Sequence, residues 1–223
     1  MTYILHLETS TKVCSVALSR NGSVVAAKET EEEGYSHGEN LTLFILDVIR
    51  EASITMNDLS AVSIASGPGS YTGLRIGVST AKGLCYPLNI PLISIDSLTS
   101  LAQIAHEKYS CINLCPLIDA RRMEVYNTIF NTDFIQLKSI SADIIEEDTY
   151  GDFEPFVYFG DGAEKLNDLW KNRECSADLE IKSSARGQIK IAFEKFQNKQ
   201  FEDVAYFEPF YLKDFVSTAK KKE

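Results

Sequence analysis

Three short stretches hold the residue types and spacings that could do chemistry. The first is Ser66-Gly67-Pro68-Gly69-Ser70-Tyr71-Thr72-Gly73, which follows an apolar run from Ala61 to Ala65. A strand, a glycine loop and a helix start can bind an anion, because free N–H groups and the helix dipole converge on one spot. Gly67, Gly69 and Ser70 would be the contacts. The loop matches neither specific phosphate template. A Walker A loop continues with Lys and Ser or Thr after its last glycine, where this chain has Leu74-Arg75, and the dinucleotide fingerprint needs a glycine where Thr72 stands. The same glycines would serve a tight turn with close helix packing, and on pattern alone that reading is preferred. The second stretch is Thr9-Ser10-Thr11, whose hydroxyls and amides could cradle a phosphate or form an ordinary polar hairpin turn, the reading that spacing prefers. The third is the cluster Asp119, Arg121, Arg122 and Glu124. Its Arg pair could recognise an anion, with Arg121 as the contact, or the cluster could be a solvated hairpin tip whose ion pairs contribute little.

Other reactive types are sparse. The three histidines, His6, His37 and His106, sit at no ligand spacing from a cysteine pair, so no metal site is expected. His37 reads as a residue near a helix start, and His6, alternating with Leu5 and Leu7, is expected to point out of one sheet face. Cys14, Cys85, Cys111, Cys115 and Cys175 are odd in number and contain no CxxC pair, which fits reduced, mostly buried thiols in a cytoplasmic protein. HExxH, GxSxG and paired-carboxylate arrangements are absent.

The elements that must position these stretches follow from periodicity. Tyr3–Leu7, Val13–Leu18 and Ser23–Lys28 read as strands, and Asn21-Gly22 signals a type I′ turn between the last two. Glu29–Asn40 reads as an acidic loop. From Asn40 to Ala52, Leu41, Phe44, Ile45, Val48 and Ile49 form one helical stripe, leaving Leu43 and Leu46 off it. Ala61–Ala65 is a strand, Thr72–Cys85 a helix stopping before Pro87, Pro91–Ile95 a strand, and Leu98–Lys108 a helix capped by Asp96 or Ser97. The first half therefore runs βββ-α-β-α-β-α. Later segments are strands at Cys111–Ile118, Met123–Asn131 and Phe156–Phe159, helices at Ala163–Lys171 and Ser184–Phe196, and a solvated tail Lys220-Lys221-Lys222-Glu223. No internal repeat is visible.

Length and charge bound the function. The chain has 223 residues, 44% hydrophobic and 24% charged, with mean hydropathy -0.11. These are the values of a globular chain of one large or two small domains. With 22 basic against 32 acidic residues the net charge is -10, opposite to that of a protein that tracks a nucleic-acid backbone. No apolar run is long enough to span a bilayer, and the start, Met1 to Glu8, lacks the basic region of a signal peptide.

Several segments together resemble one family. They are Ile4-Leu5-His6-Leu7-Glu8-Thr9-Ser10 with Cys14-Ser15-Val16-Ala17-Leu18, His37-Gly38-Glu39-Asn40-Leu41, the loop from Ser66 extended through Leu74-Arg75-Ile76-Gly77, Asp119-Ala120-Arg121-Arg122-Met123-Glu124-Val125-Tyr126, and Pro209-Phe210-Tyr211-Leu212. The chain is similar along nearly its whole length to the TsaB (YeaZ) family of bacterial tRNA threonylcarbamoyladenosine biosynthesis proteins, formerly labelled glycoprotease-like M22 peptidases. The resemblance implies an α/β protein with the actin/Hsp70-like ATPase (ribonuclease H-like) fold, in two subdomains with mixed sheets. They are expected at residues 1–100 and, smaller and degenerate, at residues 101–223. It also implies a non-catalytic role beside the paralogue TsaD, which places threonylcarbamoyl next to the anticodon of tRNAs reading ANN codons. A TsaE-like ATPase joins, tRNA is met indirectly, and the chain pairs with itself when alone.

The resemblance bears on individual residues too. At the positions where the paralogue carries two metal-binding His, this chain has Ser97 and Leu101, and Leu cannot ligate a metal. Glu8 stands where ATPases of this fold carry an Asp. No cofactor is expected under this reading. The rival readings are an ATP-binding phosphotransferase or ATPase using Thr9, Ser10, Thr11 and the glycine loop, and an M22-type peptidase. An interface is expected on the helices Asn40–Ala52 and Thr72–Cys85. Gly73, Gly77 and Ala81, spaced by four, form one smooth strip, and Leu43 and Leu46 add apolar surface. The strip could instead pack on the chain's own sheet; the family's pairing mode favours the interface.

Overall fold

A computed structural model describes residues 1–31 and 37–213. The chain builds the same five-stranded sheet twice. The first sheet comes from β1 (Tyr3–Glu8), β2 (Val13–Arg20), β3 (Ser23–Glu31), β4 (Leu59–Ala65) and β5 (Leu92–Ile95). Between them lie α1 (His37–Glu51) and α2 (Tyr71–Leu88), and α3 (Ser97–His106) follows. The second sheet comes from β6 (Asn113–Asp119), β7 (Glu124–Phe130), β8 (Gln136–Ile144), β9 (Phe156–Phe159) and β10 (Cys175–Asp178), with the short α4 (Asn167–Trp170) before β10 and α5 (Ile189–Gln197) after it. The strand orders are β3-β2-β1-β4-β5 and β8-β7-β6-β9-β10. In each sheet the first three strands are antiparallel and the last two run parallel to the first. This duplication of a βββαβα unit is invisible as a sequence repeat because only the burial pattern recurs, not the side chains.

Local chemistry explains the first sheet. Asn21 and Gly22 both adopt positive φ, 52° and 79°, as a type I′ turn requires. Ile4, Leu5 and Leu7 of the central β1 are completely buried, since helices cover both faces. Leu41, Ile45, Val48 and Ile49 of α1, with Val78 and Ala81 of α2, pack on one face. Ile191, Ala192 and Phe196 of α5 pack on Ile4, Ala61 and Ile93 from the other. In the second sheet, Leu98, Leu101 and Ala105 of α3 cover one face, and Trp170 of α4 closes the core on the other. Thus α3 follows β5 in the chain but packs on the second sheet, while α5 returns to the first.

Several boundaries differ from the sequence reading. β3 runs on to Glu31, and α1 starts at His37 rather than Asn40; the weak helix former Gly38 conceals that start. α2 runs through Pro87 because the carbonyl that loses its partner, on Gly83, lies on the exposed side, and Asn89 ends the helix in the left-handed region. α3 stops at His106, with Asp96 as its cap. Residues 163–171 divide into a 3-10 turn, Glu164–Leu166, and α4, and residues 184–196 into a 3-10 turn, Ala185–Gln188, and α5. β8 and β10 are strands beyond those the sequence pattern marks. Gly34 of the acidic loop and the tail Lys220-Lys221-Lys222-Glu223 lie outside the described residues. No helix among the described residues is long and apolar enough to cross a membrane.

Candidate functional site: a cleft closed on itself

The β1–β2 turn, the glycine loop before α2 and the β6–β7 turn meet around a cleft of about 300 Å³. Ser10, Thr11, Gly69, Ser70 and Arg121 all line it, joined by Lys12, Asp119, Asp161 and the segment Phe210–Lys213. Thr9 and Gly67 do not line it. Lys12, Asp161 and the Phe210–Lys213 wall were missing from the sequence-derived site, because nothing local ties residue 161 or 211 to residue 10.

The glycines let two loops interlock. Ser70 N donates to Ser10 O at 2.6 Å. A Cβ on Gly69 would lie 2.3 Å from Ser10 O, and one on Gly73 only 2.0 Å from Thr9 O. On Gly77 it would meet Thr9 Oγ1 and Ile64, and Ala81 is buried in the first core. The strip Gly73–Gly77–Ala81 therefore faces the chain's own β1 and β4, which corrects the expectation that it forms an intermolecular surface. The reason is steric: the turn after β1 needs helix backbone almost in contact. Leu43 and Leu46, by contrast, are 57% and 51% exposed.

The same interlock consumes anion-binding capacity. The Ser70 hydroxyl caps α2 by accepting from Gly73 N, and Ser70 N is taken by Ser10, so two N–H groups that an anion would need are used internally. Glu8 is buried and turned back on its own turn, accepting from Ser10 N at 2.8 Å and Ser10 Oγ at 2.6 Å. Burial holds its pKa above the usual carboxylate value, against the pull of the Ser10 bonds. His37 lies in the first turn of α1, buried, and its Nε2 donates to Thr11 O at 2.8 Å. His6 does not point to solvent, as alternation suggested. It is enclosed between Ser63 Oγ at 2.7 Å and Ser19 Oγ at 2.8 Å, because the 3-10 turn bearing Gln188 covers that face and Gln188 bonds Ser63 and Leu7 O.

Across the cleft, Lys165 pairs with Asp119 and donates to the carbonyls of Arg122 and Glu124, while Lys213 pairs with Glu124. The acids of the cluster are thus held locally. Among the described residues neither Arg121 nor Arg122 has an ion-pair partner, and both sit at positive φ, 70° and 53°. Such backbone costs about 1 kcal/mol or more for a non-glycine residue. Replacing Arg122 by Gly is therefore expected to raise unfolding stability by about 1 kcal/mol, read from urea midpoints. Asp161 is reached by water but walled by protein, and burial lifts its carboxyl to about 6, against the hydrogen bond it accepts from Asp119 N. A raised carboxyl favours the folded state when protonated, so its contribution fades as pH climbs from 3.8 through 6. Asp161→Asn should gain in melting temperature over the natural chain as pH rises from 4 to 8, with no further gain above about pH 7.

Among the described residues no group of three or more His, Cys, Asp or Glu could hold a metal ion. Ser97 and Leu101 are buried, the latter in the second core. Cys14, Cys85 and Cys115 are buried, Cys175 half-buried and Cys111 exposed, all as free thiols.

The geometry agrees with what the chain is similar to. The family model for TsaD, tRNA N6-adenosine threonylcarbamoyltransferase, matches residues 29–214. The tRNA threonylcarbamoyladenosine biosynthesis protein TsaB of Escherichia coli is 29% identical over 97% of both chains. Its Haemophilus influenzae namesake is 36% identical over 55% of this chain and 51% of that one, so the chain spans about half the length of that relative. The TsaB of Buchnera aphidicola from Schizaphis graminum is 30% identical over 73% of this chain and 80% of that one. Among solved structures, YeaZ from Pseudomonas aeruginosa superposes with TM-score 0.80 at 24% identity, over 95% of this chain and 100% of that one. An activator of 2-hydroxyisocaproyl-CoA dehydratase from Clostridium difficile superposes with TM-score 0.52 at 10% identity, over 91% of this chain and 99% of that one. The last two likenesses speak for the fold, the duplicated actin/Hsp70-like ATPase architecture. A glycine loop locked to the first hairpin, an Asp-Ala-Arg-Arg turn facing it, a family model over residues 29–214 and one relative aligned over 97% of both chains lead to one assignment: the chain belongs to the TsaB (YeaZ) family of tRNA threonylcarbamoyladenosine biosynthesis proteins.

Proposed function

We propose that this chain is the non-catalytic subunit that holds a TsaD-type transferase while threonylcarbamoyladenosine is formed beside the anticodon of tRNAs reading ANN codons. A TsaE-type ATPase joins the assembly, and alone the chain pairs with itself. The observation that carries the reading is the outer face of α1. Leu43 and Leu46 lie one turn apart, off the stripe that packs on the sheet, and stand more than half exposed. Paired exposed leucines on a well-packed helix mark a surface meant to be covered. The subdomain of the first sheet supplies this face, and Asp119, Arg121 and Asp161 from the subdomain of the second sheet supply the far wall of the cleft. The surplus of acidic residues argues that tRNA is met through the partner. Deleting the chain from its cell should abolish tRNA threonylcarbamoyladenosine. The natural chain should restore it and a Leu43→Arg/Leu46→Arg chain should not; full restoration by that variant would sink the proposal.

The ATP-binding alternative has one observation in its favour, the hydroxyl-lined cleft with Lys12 and Arg121. Its test is a melt with Mg²⁺ and ATP, where saturation at 100 times Kd would stabilise the fold by ~2.7 kcal/mol. The internal use of Ser10, Ser70 and Gly73 argues for no shift.

A further inference from the structure

We propose that Pro209–Lys213 is a releasable strap that closes the mouth of the cleft and clasps the two halves of the molecule together. Upstream, the chain is held firmly. Glu202 pairs with Leu92 at the edge of the first sheet, and Lys82 Nζ donates to the carbonyls of Ala205 at 2.9 Å and Phe207 at 3.1 Å. Beyond Phe207 the hold changes character. Phe210 N donates to Ser66 O at 2.7 Å, and its own carbonyl lies where a Cβ on Gly67 would be, 2.5 Å away. Gly67, at φ 110°, is thus the residue that makes room for the strap. Tyr211 packs on Tyr71 with ring centroids 4.9 Å apart, and Arg75, itself over the Tyr71 ring at 4.2 Å, donates to the Tyr211 hydroxyl at 3.3 Å. Lys213 then reaches across the cleft to Glu124 on β7.

Apart from the bond of Phe210 N to the buried Ser66 backbone, these ties are made at the surface. Phe210, Tyr211 and Lys213 are all exposed, and a segment with few buried contacts opens at small cost. On the opposite side of the junction the halves meet through buried bonds: Ala185 N to Ser15 Oγ, Gln188 to Ser63 and Leu7 O, and Gly187 fitted against Ser100 O. A buried hinge on one side and an exposed clasp on the other make the strap the part that gives. With the strap in place, Ser10 and Thr11 of the cleft are buried while Arg121 stays exposed; with it released, the Ser10–Thr11 turn is open to whatever docks beside Arg121.

The test uses the full chain with Cys111→Ser, to remove the exposed thiol, and Thr11→Cys as a reporter inside the cleft. Adding Tyr211→Ala and Lys213→Ala should speed maleimide labelling of the reporter by about tenfold or more, as opening becomes cheaper, while the melting temperature stays within a few degrees. The parent with Cys111→Ser alone sets the background from Cys175. Equal labelling rates with and without the strap substitutions would overturn the proposal. Hydrogen exchange on the natural chain gives an independent reading that needs no variant. The Phe210 amide should exchange far faster than the amides of Leu5 and Leu7, and equal protection would overturn the proposal as well.

Discussion

Gly73→Ala is expected to destabilise the fold by about 3 kcal/mol, although it removes a glycine from a helix. Intrinsic propensity alone predicts a gain of about 1 kcal/mol. The gain is overridden because the new methyl would sit 2.0 Å from the Thr9 carbonyl. That atom is backbone, fixed by the tight turn between β1 and β2, so the turn or α2 must shift. Either movement disturbs Ser70 N to Ser10 O and the His37 bond to Thr11 O. Gly83 supplies the internal control. It lies on the exposed side of the same helix with nothing within 4 Å of its would-be Cβ, so Gly83→Ala should gain about 1 kcal/mol. Urea unfolding of the two variants should move the midpoint in opposite directions. If Gly73→Ala were stabilised like Gly83→Ala, the interlocked loops described above would be wrong.

The second large effect is loss of stability in acid through His6. Enclosed by Ser19, Ser63 and the Gln188 turn, the imidazole is held neutral, and burial lowers its pKa to about 3. In the unfolded chain it titrates near 6.5. The folded state therefore binds fewer protons between these values. Stability is fully present above pH 6.5 and falls as pH drops toward 3. The loss attributable to this residue amounts to about 3 kcal/mol between pH 7 and pH 4. Glu8, Asp96 and Asp161 are raised by burial and act with the opposite sign, so the natural chain alone does not isolate the effect. The difference between it and His6→Asn does: the gap in unfolding free energy should shift by that amount in favour of the variant on going from pH 7 to pH 4. A gap independent of pH would refute the burial of a neutral His6.

The sequence disclosed the fold where local rules act alone. Asn21-Gly22 announced its turn, and the α1 stripe from Leu41 to Ile49 announced the buried face, because turn backbone and helix period are written in neighbouring residues. β8 and β10 were hidden for different reasons. β8 is an edge strand with register shifts opposite Asn127–Phe130, so its apolar residues Leu137, Ile140, Ala142 and Ile144 keep no single phase. β10 has only four residues, two of them exposed, and is a strand because β9 lies beside it. The orientation of Gly73, Gly77 and Ala81 could not be read at all: a smooth strip suits an outer neighbour and an inner turn equally, and only the position of Thr9 decides. In the cleft, Ser10, Gly69 and Arg121 were identifiable by type, and the structure unites them. The use to which they are put was not legible, since it depends on which N–H groups other parts of the chain have already taken.

Direct titration of the purified chain with a TsaD-type transferase from the same genome, followed by sedimentation, tests the central claim most directly. A complex with micromolar affinity or better is expected. Leu43→Arg/Leu46→Arg should weaken it by about 100-fold, ~2.7 kcal/mol, with an unchanged melting temperature because both side chains are exposed. An unaltered affinity in that variant, or no complex with the natural chain, would show that this chain does not hold the transferase through α1.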